Sequence, residues 1–123
     1  METVDQFVNE LIKLIPELNK FFEGTRNYWY PKNAPLTLFF SDLAREIIEL
    51  NVVDDLKIKL FSIIELGVSS SREELGCAVA TGFLETYYFT LEDNGKIDDF
   101  FWKIVGEKSK QHIVGLKSYY DGN

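Results

Sequence analysis

The chain has 123 residues, enough to bury a core of its own as one domain spanning 1–123. Its net charge of −7 argues against nucleic acid or an anionic membrane as a direct partner, because both repel an acidic surface. A single cysteine, Cys77, excludes an internal disulfide and any multi-cysteine zinc site.

The opening METVDQFVNEL has early acids and no basic stretch, so no signal peptide is expected. No apolar run approaches the roughly 20 residues that span a bilayer. A soluble, cytoplasmic protein is the expectation. Val4, Phe7, Val8, Leu11, Leu14 and Ile15 recur at helical spacing, with Asp5, Asn9, Glu10 and Lys13 opposite. Thr3 suits the N-cap. Pro16 disfavours helical geometry at Ile15 and ends or bends the first helix there. It suits the first turn of a short second helix that turns Leu18, Phe21 and Phe22 inward, with Gly24 as its stop.

Residues 24–37, GTRNYWYPKNAPLT, read as one long irregular segment, since Pro31 and Pro35 oppose a regular element and demote a strand. Tyr28, Trp29 and Tyr30 fall together here, either as a lid on the core or as a contact surface for a partner. An amphipathic helix is predicted over 38–50. Phe40, Leu43, Ala44, Ile47 and Ile48 face the core, and Asp42, Arg45, Glu46 and Glu49 make an outward stripe. Asp54 or Asp55 is expected to cap the next helix, 55–66, which buries Leu56, Leu60, Ile63 and Ile64 and turns Lys57, Lys59, Ser62 and Glu65 outward, with Gly67 at its end.

Ser71 followed by Glu74 is a capping-box signature opening a helix over 72–89. That helix is apolar on most sides, as a central helix should be, with only the line Glu74, Thr81, Glu85, Glu92 polar. Gly76, Ala78, Ala80 and Gly82 allow neighbours to approach closely. Cys77 has apolar sequence neighbours and reads as a packed, unreactive thiol. Glu85 is either a buried acid with a basic partner or a member of the polar line; the cost of an unpaired buried carboxylate favours the polar line. After the turn Glu92-Asp93-Asn94-Gly95, Asp98 or Asp99 caps a short helix carrying Phe100, Phe101, Ile104 and Val105. Gly106 interrupts, and a last helix, 107–120, turns Ile113, Leu116 and Tyr120 inward. The sum is an all-α domain of about six helices, arranged as antiparallel hairpins around the central helix.

No constellation for chemistry emerges. His112 is the one histidine and has neither cysteines nor an acidic triad beside it in sequence. The pairs Asp54-Asp55 and Asp98-Asp99 sit where helices start, where capping explains them. The glycines form no phosphate-binding loop. No catalytic residue, cofactor or metal is expected.

Four short patterns, taken in order, carry a resemblance: Ile15-Pro16-Glu17 at the end of the first helix, Phe40-Ser41-Asp42-Leu43-Ala44, Gly82-Phe83-Leu84-Glu85 and Gly106-Glu107-Lys108-Ser109. In this order the chain resembles a family of small helical bacterial proteins, largely uncharacterised and often seen as candidate immunity proteins of polymorphic toxin systems. The resemblance implies a protein that neutralises a cognate toxin domain by direct binding, acting as a monomer or homodimer. A basic toxin such as a nuclease would suit the negative charge through electrostatic steering. The other reading is a helical adaptor or homodimeric interaction module. Residues 41–76 hold eight acids and four bases, and 85–99 hold five acids and one base. Negative potential is therefore expected at Asp42, Glu46 and Glu49, and around Glu92, Asp93, Asp98 and Asp99. Tyr28, Trp29 and Tyr30 are the expected anchors.

Overall fold

A computed structural model describes residues 3–121. The regular structure of the described residues is all helical, without strands: α1 (Val4–Leu14), α2 (Leu18–Trp29), α3 (Leu36–Leu50), α4 (Asp54–Val68), α5 (Glu73–Ala78), a π-helical segment (Val79–Leu84), α6 (Glu85–Asp93), α7 (Asp99–Ile104) and α8 (Glu107–Tyr120). α5, the π segment and α6 follow without a break, so the central helix expected over 72–89 runs from 73 to 93. No helix among the described residues is long and apolar enough to cross a membrane.

Local chemistry sets several boundaries as expected. The Thr3 side chain accepts from the Gln6 amide and the Gln6 side chain returns the favour, a complete capping box. α1 ends at Ile15, before Pro16. Asp98 caps α7 by accepting from the Phe101 amide at 3.0 Å. Gly95 takes φ +65° after α6, a conformation open to a residue without a Cβ.

Elsewhere packing overrides the local signal. α2 does not stop at Gly24 but continues to Trp29, and the irregular segment shrinks to the turn from Tyr30 to Pro35. A glycine inside a helix costs roughly 1 kcal/mol, which the apolar contacts of Leu18, Phe21 and Phe22 offset. Phe22 stacks on Phe39 with centroids 5.7 Å apart, and Phe39, Phe40 and Phe7 carry the contact on from α3 to α1. Val53, the N-cap of α4, offers no side-chain cap, so Asp54 and Asp55 stand in the first turn instead of capping, with Asp54 4.0 Å from Lys57. The N-cap of α5 falls on Arg72 in place of Ser71, and it makes no side-chain cap bond.

α4 packs against α1 on one side and against α5, the π segment, α7 and α8 on others. Its buried face is therefore wider than one stripe, and Phe61, predicted in neither set, is fully buried. Phe61 meets Tyr87 and Phe101 at 5.1 and 5.8 Å, edge to face. Cys77 is exposed, against expectation. It lies three residues after Glu74 and four before Thr81, which puts it on the polar line of its own helix. Tyr120, expected inward, is 67% exposed at the end of α8.

The close approach expected of the small residues is real at Gly82. A Cβ there would lie 2.5 Å from the Thr37 carbonyl oxygen and 2.8 Å from Phe40 Cβ. A π segment widens the turn and loosens its carbonyls. Ser41 of α3 donates its hydroxyl to the Gly82 carbonyl at 3.2 Å, and Thr86 donates to Ser41 at 3.0 Å. α3 thus packs onto the widest part of the central helix and satisfies it.

Candidate partner-binding surface

The continuation of α2 past Gly24 moves the aromatics from a loop onto a helix. Tyr28 and Trp29 form its last turn, and Tyr30 is its C-cap. Tyr28 and Tyr30 are 82% and 80% exposed, so neither closes the core as a lid; Trp29 is half-buried. Tyr28 and Trp29 pack edge to face at 5.5 Å, which fixes one ring against the other. Large rings held in water by a rigid helix bind at little cost in lost rotamer freedom.

A shallow groove of about 500 Å³ runs between α2 and α3, lined by Phe21, Gly24, Tyr28, Trp29, Leu38 and Asp42 among others. Gly24 contributes no side chain, and nothing lies within 4 Å of where its Cβ would be. Leu38 is 42% exposed and sits one turn before Asp42 on the same outward stripe. It was missed by reading only the charges of that stripe, although the i, i+4 spacing is visible in the sequence. The Asp42 carboxylate accepts from Arg45 at 3.1 Å, both side chains largely solvated. Glu46 and Glu49 continue α3 beyond them. Of the sequence-predicted site residues, the fold gathers Tyr28, Trp29 and Asp42 around this one groove.

The acids of the second expected patch have other duties. Glu92 lies with Lys117 beside Tyr88: burial first, and then the Glu92 carboxylate, push the Tyr88 phenol above its ordinary range, with Lys117 opposing. Lys117 stands 5.7 Å from the Tyr88 ring centroid. Asp98 caps α7, and Asp99 follows it in the first turn. Asp93 ends α6. None of the four lines the groove.

Two further carboxylates act within the scaffold. Glu65, expected to point into water, reaches across to the start of α8. Its oxygens accept the Lys108 amide at 2.8 Å, the Ser109 amide at 3.0 Å and the Ser109 hydroxyl at 2.7 Å. Gly106, the N-cap, has no side chain to offer, and a Cβ there would fall on the Glu65 carboxylate. Burial acts to raise the Glu65 pKa, but the bonds from Ser109 and Lys108 outweigh it and hold it below the ordinary value. Glu85 combines its two readings: it is half-buried on the polar line, and its carboxylate lies 3.0 Å from a partner, His112 Nε2. No group of three or more His, Cys, Asp or Glu side chains among the described residues is placed to hold a metal ion.

No curated protein and no solved structure matches the chain. A domain of unknown function, DUF7674, matches residues 8–121, from the first turns of α1 to the end of α8. With all but the first turn of the fold inside that match, the chain belongs to the DUF7674 family.

Proposed function

We propose that this protein is a non-catalytic binding protein that neutralises a cognate bacterial toxin domain by covering it with the α2–α3 face. The observation that carries the reading is the pair Tyr28 and Tyr30, four-fifths exposed at the end of a helix and beside a groove edged by Leu38 and Asp42. Exposed aromatics beside a concave surface are the residues that supply interface energy. The outward acids Asp42, Glu46 and Glu49 continue from the groove, and the net charge of −7 favours a basic partner such as a nuclease. The resemblance of the chain to immunity proteins supplies the kind of partner. A homodimeric or adaptor module is the second reading, supported by Val114, Tyr119 and Tyr120, exposed on α8 and unused by the first.

The test is co-expression with the C-terminal domain encoded by the adjacent upstream gene. Growth should be arrested by that domain alone and restored by this protein, with the two purifying as one complex. A harmless neighbour, or arrest that this protein does not relieve, removes the toxin reading. Self-association in sedimentation would then select the homodimer.

A further inference from the structure

On the other side of α2 lies a larger cavity of about 730 Å³, bounded by the starts of α1 and α3, the Tyr30–Pro35 turn and the N-terminus of α5. Its size is that of a small-ligand site. Phe22, Phe39 and Leu75, all buried, form an apolar floor with the half-buried Val8. Two sets of charges line it. Arg26 and Lys32 come from α2 and the turn after it; Asp5, Glu73 and Glu74 come from the first turns of α1 and α5, with Arg72 beside them. Among the described residues none of these six forms an ion pair.

Helix electrostatics explains the first-turn acids and also Arg26, in the last turn of α2. It does not explain Arg72, a cation at the positive end of a helix, where it is disfavoured. All six are exposed, so water satisfies them without pairing; what the fold adds is their gathering, from separate segments, around one apolar-floored cavity. A simple anion would meet three carboxylates and a simple cation three basic groups, so neither suits the lining. A ligand with one charge of each sign and an apolar side chain between them matches all of it, and Thr25 and Asn33 in the wall are able to hydrogen-bond its amides.

We propose that this cavity binds a dipolar ligand of peptide chemistry, an apolar side chain seated on Phe22, Phe39 and Leu75 and flanked by one basic and one acidic group. The cavity is distinct from the aromatic groove, although Thr25 lines both and the same two helices contribute to each. The test is a methyl and amide NMR titration of the full chain with capped Lys-Leu-Glu, against capped Lys-Leu-Lys, Glu-Leu-Glu and Lys-Ser-Glu, and with free leucine as a separate arm. Lys-Leu-Glu is expected to shift the Val8, Leu36 and Leu75 methyls and to bind at least tenfold more tightly than the three controls. Saturation by free leucine at lower concentration than the peptide would assign the same site to a free amino acid. The exposed double variant Arg26→Glu/Lys32→Glu should lose at least tenfold in affinity with its melting temperature unchanged. Equal binding of all the capped peptides, shifts confined to other surfaces, or full affinity in the folded charge-reversed variant would overturn the proposal.

Discussion

Glu65 shows how one side chain joins distant parts of this chain. It lies on α4, yet it caps α8 forty-three residues later, through three hydrogen bonds from Lys108 and Ser109. Glu65→Gln keeps the shape but weakens charge-assisted bonds to the helix start, and it should cost about 1–2 kcal/mol. The loss is read as a fall in melting temperature of roughly 3–8 °C. The sign with pH follows from the lowered pKa. The folded state holds Glu65 ionised below its ordinary value of 4.5, so its contribution is present above that pH and disappears as the pH falls through the folded pKa. Melting curves of wild type and Glu65→Gln should therefore converge in acid; a gap that persists at pH 2 would contradict the capping role. Tyr87 behaves oppositely. Burial, with Asp98 nearby, pushes its phenol up to about 12, so stability should fall as the pH rises from 10 towards 12. In an absorbance titration the Tyr87 phenol should ionise near 12, well above the ordinary phenol value of 10.

At the scale of the element, glycines separate what packing demands from what local chemistry prefers. Gly82→Ala places a Cβ against the Thr37 carbonyl and Phe40, both backbone-anchored, and should destabilise by about 1–3 kcal/mol. Gly115→Ala, in α8 with nothing within 4 Å, should instead stabilise by about 0.5–1 kcal/mol. Chemical denaturation of the two variants checks both signs. The same contrast explains what was legible beforehand. Apolar spacing revealed α1, α3, α4 and the central helix, because burial enforces the helical period. Gly24 misled because a glycine is a helix stop only where packing lets the chain leave, and Phe22 stacked on Phe39 keeps α2 in place. The π segment left no trace in composition: it depends on α3 pressing against Gly82 and on Ser41 reaching its carbonyl. Phe61 and the Glu65 cap arise from contacts between segments far apart in sequence, which no local window contains. Cys77, by contrast, was readable as exposed from its place between Glu74 and Thr81.

For the whole molecule, helices α1 and α3 to α8 form the scaffold, and α2 stands between two open surfaces, the aromatic groove and the bipolar cavity. Thr25 lines both. The groove residues Tyr28, Trp29 and Asp42 were visible as residues but not as a surface, because their meeting depends on α2 extending beside α3. If this face covers a basic toxin, rim charges should govern the rate of encounter. Glu46→Lys/Glu49→Lys should then slow association roughly tenfold or more at low salt, and added salt should shrink the difference.

The measurement that bears most directly on the account is the dissociation constant of the proposed toxin domain for wild type and for Tyr28→Ala/Tyr30→Ala, determined by calorimetry. Both side chains are exposed, so the double variant should keep its stability to within about 1 kcal/mol. Its affinity should fall by roughly 30-fold or more, as expected when two central anchors are removed. Unchanged affinity in the folded double variant would contradict the assignment of the α2–α3 face as the binding surface.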